Sequence, residues 1–418
     1  MAKNKMLTKN VFQITTVFLV LLFCDVTFSF KFEDDKFLPP ENFKDMRTDE
    51  IIKFYGYPGE EHKVLTEDGY ILSNFRLANP GGYPILLLHG MTATSDSFLL
   101  RGPRYDMSFL LWKRGYDVWM WNARGNIYST EHVNMTYKDE KFFLFSIQEY
   151  GQYDTPASID YILNMTGHTS VITIGHSNGC GNVLTMAALR PEYNDKVLLN
   201  IMWGQAVMLK YELFKGMMEM SYSMYTRYMN FDHDQSVMKK GSEKLELVKA
   251  FCNPESPLLS SLCLMFMGLV SGPNSNQTDF YAVKRMMTKF PAGSSMNAFK
   301  QMMQNMRSGE YKPLSYGVTE NMRRYGTREP SPYPLGEVKI PTAMYYSCCN
   351  DFLSSKADNK LLKNKLTNVI KFQTISYKKF NHGDFLWAKD GYELLYKDVL
   401  VLIHKYTPSK YRSEIPIL

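Results

Sequence analysis

The pentapeptide Gly175-His176-Ser177-Asn178-Gly179 has the spacing of a nucleophilic serine on a tight turn between a strand and a helix. An apolar run, Val171–Ile174, precedes it, and a helix-forming stretch, Asn182–Leu189, follows it. The flanking glycines relieve contacts with the neighbouring strand and helix, so the hydroxyl stands clear at the carboxyl edge of a sheet. The pattern therefore predicts that Ser177 attacks a carbonyl carbon and forms a covalent intermediate.

A serine nucleophile needs a base, and three histidines follow Ser177 in the chain. In chains with this strand–serine–helix turn, the acid comes next and the histidine comes last. His382 lies in a loop after the last apolar run, whereas His233 falls in a segment without strand patterns and His404 falls in a helical pattern. We therefore predict that His382 accepts the serine proton and later returns it to the leaving alcohol.

The histidine needs a carboxylate that holds its ring, and Asp351 directly follows the apolar run Ala343–Tyr346. This position places Asp351 on a loop after a strand, as the order of such residues requires. Asp358 is the alternative, but it falls in the next helical pattern, and Asp384 is too close to His382 in the chain to orient its ring. We predict that Asp351 holds the ring tautomer and stabilises the imidazolium.

The tetrahedral intermediate needs backbone N–H donors that already point at its oxyanion. One predicted donor is the amide of Asn178, the residue after the nucleophile. The other is the amide of Met91, in the loop His89-Gly90-Met91 that follows the apolar run Pro84–Leu88. Both donors are main-chain groups, so the side chains at these two positions have little influence on the chemistry.

The elements that would position these residues are short apolar runs with helical patterns between them, which is typical of a parallel sheet buried on both faces. Two strands around the turn Glu67-Asp68-Gly69 come first, within His62–Leu77. The buried runs that follow are Pro84–Leu88, Asp117–Trp121, Val171–Ile174, Ala343–Tyr346 and Val369–Ile375. Helices are predicted at Ser355–Leu366 and over about 391–404, and the chain as a whole is predicted to have an α/β fold.

The middle of the chain, residues 208–324, has helical apolar spacing and many methionines but no strand–helix alternation. We interpret it as a mainly helical cap inserted into the α/β core. The core would then consist of two parts, residues 30–207 with the nucleophile and residues 325–418 with the acid and the base.

Residues 1–29 have the pattern of a secretory signal peptide, in which Lys3, Lys5 and Lys9 precede an apolar run too short to span a bilayer. No other segment is long and apolar enough to cross a membrane. The 418-residue chain carries 48 basic and 42 acidic residues. Because removal of the leader lowers this small excess, the charge does not favour a nucleic-acid partner.

In a chain that follows the secretory route, Asn-x-Ser/Thr triplets can be glycosylated. Three such triplets are candidate glycosylation sites, at Asn134, Asn164 and Asn276. It also permits disulfides.

Five cysteines remain after the leader, so at least one thiol is free or pairs with another molecule. Cys252 and Cys263 lie close in one segment and are the favoured bridge. Adjacent cysteines rarely bridge each other, so Cys348 and Cys349 are predicted to be two buried thiols. Cys180 is predicted to be a small buried side chain.

Taken together, these motifs make the chain resemble the acid lipase family, the gastric and lysosomal acid lipases and their insect relatives, and an insect-type member in particular. The matching stretches run in order from about residue 50 to residue 388. They include Leu88-His89-Gly90, Asn122-Ala123-Arg124-Gly125-Asn126, Gly175-His176-Ser177, Asn350-Asp351 and Asn381-His382. A departure is Cys348-Cys349, which stands where the family commonly has Gly-Gly.

The resemblance implies an α/β-hydrolase core with a helical cap and lid, acting on triacylglycerols or sterol esters without a metal or a cofactor. The family's site residues map onto the positions reached above, and its cap disulfide maps onto Cys252 and Cys263. A cap of this kind receives acyl chains of differing shape, for which flexible methionines are suited. We hypothesise that Met217, Met218, Met220 and Met224 line the acyl path or the face of the lid.

The leading prediction is therefore a secreted or lysosomal lipase that meets neutral lipid at a lipid–water interface. One alternative is a carboxylesterase that acts on short, soluble esters. A less favoured alternative is a non-catalytic lipid-binding protein on a lipase scaffold, since such scaffolds tend to lose the nucleophile or the base.

Overall fold

The structure, a computed structural model, describes residues 43–211, 235–253, 255–273 and 275–412. Within these residues the strands are β1 (Gly59–Leu65), β2 (Tyr70–Leu77), β3 (Pro84–Leu88), β4 (Asp117–Met120), β5 (Glu131–His132), β6 (Val171–His176), β7 (Val197–Trp203), β8 (Ser236–Val237), β9 (Ser294–Ser295), β10 (Thr342–Ser347) and β11 (Val369–Ile375). The α-helices are α1 (Thr48–Phe54), α2 (Met107–Trp112), α3 (Ile147–Glu149), α4 (Thr155–Thr166), α5 (Asn178–Leu189), α6 (Glu243–Phe251), α7 (Pro257–Ser271), α8 (Phe280–Lys289), α9 (Met296–Ser308), α10 (Val318–Tyr325), α11 (Lys356–Lys365), α12 (Asp384–Trp387) and α13 (Lys397–Tyr406).

The central sheet has the strand order β1-β2-β4-β3-β6-β7-β10-β11, and the short β5 pairs with β2. The hairpin β1–β2 and the pair β2–β4 are antiparallel, whereas every neighbouring pair from β4 to β11 is parallel. This mostly parallel sheet confirms the predicted α/β-hydrolase fold. Its parallel strands all end at one edge, and the loops there carry Ser177, Asp351 and His382.

Helices cover both faces of the sheet, so the central strands are apolar throughout. In β3, every residue is buried. Ile85 and Leu87 face one core, which includes side chains of α2 and α13, whereas Leu86 and Leu88 face a second core with side chains of α4 and α5. Burial on both faces explains why these strands read as continuous apolar runs rather than as alternating patterns.

The predicted strands are present, with ends that shift by a residue or two, but the sequence reasoning did not include β7. This strand lies at the centre of the sheet between β6 and β10. Its run is interrupted by Asn200, which is buried and accepts a hydrogen bond from the Thr173 hydroxyl at 3.0 Å. A polar residue can occupy a central strand because a neighbouring strand supplies its partner.

The described part of residues 208–324 is mainly helical and contains α6 to α10 with the two-stranded ladder of β8 and β9. The limits of the cap remain a prediction. The four methionines assigned to the acyl path or the lid face, the predicted leader at residues 1–29 and His233 lie outside the described residues. Within the described ranges, no helix is both long and apolar enough to cross a membrane.

Candidate active site

Ser177 forms the tight turn between β6 and α5, with φ 57° and ψ −124°. A non-glycine residue adopts positive φ only where the surrounding structure enforces it. Here the segments of the backbone are packed closely. A Cβ on Gly175 would lie 2.7 Å from the amide nitrogen of Cys180, and a Cβ on Gly179 would collide with the carbonyl of Leu88. Ser177 is nevertheless partly exposed between its buried neighbours His176 and Asn178.

His382 and Asp351 form a buried pair. The Nδ1 atom of His382 lies 3.0 Å from both carboxylate oxygens of Asp351, and the side chains are 8% and 0% exposed. Asp351 also accepts a hydrogen bond from the amide of Leu353 at 3.0 Å. With Nδ1–H donating to the carboxylate, Nε2 carries the lone pair, and this buried atom has no hydrogen-bond partner among the described residues. The ring is thus held in the tautomer that can accept a proton.

The other candidates for acid and base have different partners. Asp358 accepts hydrogen bonds from two backbone amides in the segment after β7, at 2.9 and 3.2 Å. Asp384 accepts one from the amide of Asn381 at 2.9 Å, and burial raises the pKa of its carboxyl to about 6. His404 lies in the last turn of α13, as the sequence pattern predicted, and not in a loop that follows a strand.

His176 joins the serine turn to the histidine loop, a role that the sequence reasoning missed. Its Nε2–H donates to the main-chain carbonyl of His382 at 2.9 Å, and the two rings lie 4.8 Å apart between centroids. Burial lowers the pKa of His176 to about 3, with a smaller contribution from the neighbouring His382. A neutral imidazole therefore holds the backbone of the predicted base next to Ser177.

The loop predicted to supply an oxyanion donor lies against the serine. A Cβ on Gly90 would come 3.0 Å from the Cβ of Ser177. The Nδ1–H of His89 donates to the carbonyl of Gly90 at 2.6 Å, and its Nε2 accepts from the amide of Ala123 at 3.2 Å. The carbonyl of Gly90 and the N–H of Met91 belong to one planar trans peptide and point in opposite directions. His89 therefore sets the direction of the predicted donor.

Asn178, the other predicted donor, is the first residue of α5. The first four N–H groups of a helix have no partner within that helix. The amide of Asn178 is therefore free of the helix's own hydrogen bonds and lies directly beside the nucleophile.

Two of the three cysteine predictions agree with the structure. Cys252 and Cys263 form a disulfide with Cα atoms 5.2 Å apart. Cys180 is a free, buried thiol that donates to the carbonyl of Gly175 at 3.1 Å. The prediction of two buried thiols at Cys348 and Cys349 is wrong, because these residues form a vicinal disulfide and Cys349 is exposed. Sequence spacing alone does not show such a bond, since it depends on how the loop after β10 turns.

No set of three His, Cys, Asp or Glu side chains in the described ranges is arranged to hold a metal ion. The described loops at the carboxyl edge of the sheet instead carry the Ser177 turn and an imidazole paired with a carboxylate, His382 with Asp351. A mostly parallel sheet with a serine on this strained turn defines the class of serine hydrolases with the α/β-hydrolase fold.

Comparisons with known proteins narrow this class. A family model described as a partial alpha/beta-hydrolase lipase region matches residues 48–102, and one described as the alpha/beta hydrolase fold matches residues 83–240. Lipase 1 of Drosophila melanogaster is 35% identical over 86% of this chain and 80% of its own length. A protein of Crotalus adamanteus with the provisional name lysosomal acid lipase/cholesteryl ester hydrolase is 29% identical over 86% of this chain and 91% of its own length.

Among solved structures, a bacterial membrane phospholipase A matches with a TM-score of 0.51 at 13% identity, covering 97% of this chain and all of that one. At this identity the match concerns the fold alone. The chain belongs to the acid lipase family of α/β-hydrolases and is a serine hydrolase of carboxylic esters.

Proposed function

We propose that the protein is a lipase of the secretory route that hydrolyses ester bonds of neutral lipids, with Ser177 as nucleophile, His382 as base and Asp351 as its orienting acid. One observation carries the proposal. The imidazole of His382 is held through Nδ1 by both oxygens of Asp351, and its other nitrogen is unpaired beside the serine turn. The substrates that fit the family are triacylglycerols and sterol esters.

In this mechanism the Ser177 hydroxyl attacks the ester carbonyl while Nε2 of His382 takes its proton. The amides of Met91 and Asn178 stabilise the negative charge that develops on the carbonyl oxygen. Collapse of the intermediate breaks the ester C–O bond, and His382 returns the proton to the departing alcohol. Water then attacks the acyl-enzyme by the same steps, which releases the fatty acid and regenerates the serine.

An exposed apolar surface supports action on lipid rather than on soluble esters. Helices α6 and α7, linked by the Cys252–Cys263 disulfide, present Leu247, Leu258 and Phe266 with exposed fractions of 67%, 70% and 53%. Two more exposed apolar side chains, Phe251 and Met265, lie on the same two helices. Contiguous apolar surface marks a contact with a partner or a lipid interface. We propose that this helical pair contacts the lipid surface from which substrate enters.

The secretory route is supported by three independent features. The first 29 residues have the signal-peptide pattern. The three candidate glycosylation sites, Asn134, Asn164 and Asn276, are all exposed. The chain carries disulfides, which persist in oxidising compartments. A lysosomal destination is in keeping with the name of the Crotalus relative.

The experiment that tests the proposal compares the wild-type protein with Ser177→Ala on emulsified triolein, cholesteryl oleate and a short soluble ester, over pH 4 to 8. We expect hydrolysis of a long-chain ester by the wild type and no hydrolysis by the variant. Wild-type activity on the short ester alone would support the carboxylesterase alternative. Activity that survives the substitution would refute the role of Ser177, and an inactive wild type would favour a lipid-binding protein.

The lipid-contact surface has its own test. The double variant Leu258→Gln, Phe266→Gln should hydrolyse emulsified triolein much more slowly than the wild type but should keep its rate on the short ester. Leu65→Gln is the matched control, because Leu65 is 60% exposed on β1, outside the cap. Equal losses on both substrates, or an equal loss in the control, would contradict the proposal.

A further inference from the structure

The helix α7 ends against the two loops that carry Asp351 and His382. The last carbonyls of a helix have no partners within it and need donors from elsewhere. The carbonyl of Ser271, the last residue of α7, accepts a hydrogen bond from the main-chain amide of His382 at 2.9 Å. The contact therefore reaches the backbone of the proposed base itself.

The next two carbonyls are bound by asparagine side chains. Nδ2 of Asn381 donates to the carbonyl of Gly272 at 3.0 Å, and Nδ2 of Asn350 donates to the carbonyl of Pro273 at 2.9 Å. Each asparagine directly precedes a proposed triad residue in the chain, because Asn350 comes before Asp351 and Asn381 before His382. Three successive carbonyls at the end of α7 are thus bound by the loops of the acid and the base.

Asn350 also joins the two loops to each other. The same Nδ2 group donates to the carbonyl of Lys379, in the histidine loop, at 2.7 Å. The two segments approach closely here, since a Cβ on Gly272 would collide with the carbonyl of Asn350. Gly272 has a φ of +111°, which also favours glycine.

We propose that the turn Ser271–Pro273 and the side chains of Asn350 and Asn381 form a joint that fixes the acid and base loops to α7, so that the position of this helix sets the rate of the chemical step. Asn350 and Asn381 are positioning residues, because they act through the backbone of the loops and not on substrate. The inference rests on the proposed function, and it adds a link between the cap and the chemistry. A displacement of α7, for example at a lipid surface, would be transmitted directly to His382.

The first test is Asn350→Ala, assayed on a short soluble ester so that lipid binding does not enter. We expect kcat to fall on the order of 100-fold, as for a small misplacement of a reacting group, with KM unchanged. The rate at which a fluorophosphonate modifies Ser177 should fall in parallel, since it also needs the base. Asn194→Ala is the matched control, because Asn194 likewise donates to two backbone carbonyls, at 3.2 and 3.0 Å, away from the site. It should keep wild-type kcat at a similar melting temperature.

The second test is Gly272→Ala, which forces the joint apart and leaves all its side chains in place. Gly241→Ala is its control, since Gly241 has positive φ but no atom within 4 Å of its added Cβ. We expect a loss of kcat in the first variant only. If Gly272→Ala does not fold, the kcat of Asn350→Ala alone tests the joint. A folded Asn350→Ala protein with wild-type kcat, while Ser177→Ala is inactive, would overturn the joint and leave the proposed function intact.

Discussion

Replacement of His176 by glutamine tests the buried histidine beside the nucleophile. Glutamine keeps a side-chain N–H that can donate to the carbonyl of His382, but it does not titrate. In the folded protein burial lowers the pKa of His176 from its ordinary 6.5 to about 3. As the pH falls below 6.5, the unfolded chain therefore binds a proton that the folded protein does not. The stability that depends on a neutral His176 is complete above pH 6.5 and is lost progressively toward pH 3.

The expected loss of unfolding free energy follows from how far the pH lies below the pKa of the unfolded imidazole. A pH of 5 is about 1.5 units below the pKa of the unfolded imidazole. At about 1.4 kcal/mol per unit, the folded protein loses about 2 kcal/mol of stability between neutral pH and pH 5. The free energy of unfolding of the wild type, measured by urea denaturation, should thus fall by about 2 kcal/mol more than that of His176→Gln between pH 7.5 and pH 5. His404→Gln is a control at a side chain that water reaches. A stability difference between wild type and His176→Gln that stays the same at both pH values would refute the reasoning.

Three further predictions concern the acid, the cysteines and the glycans. Asp351→Asn should lower kcat on the order of 10⁴-fold with little change in KM, because an amide does not hold the Nδ1–H tautomer, whereas Asp358→Asn should keep wild-type kcat in the same ester assay. Alkylation of the denatured, leaderless protein should label Cys180 alone by mass spectrometry; labelling at Cys348 and Cys349 as well would show that they are thiols. Enzymatic deglycosylation should lower the mass of the secreted protein, and substitution of a used asparagine by glutamine should remove one glycan, the candidates being Asn134, Asn164 and Asn276.

The sheet could be predicted from the sequence because burial on both faces leaves a direct trace, a short apolar run such as Pro84–Leu88 or Val369–Ile375. A buried strand escapes prediction where a tertiary contact compensates a polar residue within it. Asn200 interrupts the apolar run of β7, and only the neighbouring β6 shows that its side chain has a partner. The sequence pattern therefore missed β7, because the partner that lets a polar residue lie in this strand belongs to a neighbouring strand.

The positions of the candidate site residues could be predicted because each follows a strand at the same edge of the sheet. The groups that hold them could not, since their partners are distant in the chain. Asn350 and Asn381 are unremarkable polar residues until α7 returns to the sheet edge and presents its terminal carbonyls. His176 lies within the serine motif, and its position there is the one signal that could have drawn attention to it.

The measurement that tests the central claim most directly is the mapping of a fluorophosphonate label by peptide mass spectrometry. We predict a single adduct on Ser177, a loss of ester hydrolysis in proportion to labelling, and no adduct in Ser177→Ala. An adduct on another residue, or full hydrolysis after complete labelling of Ser177, would contradict it.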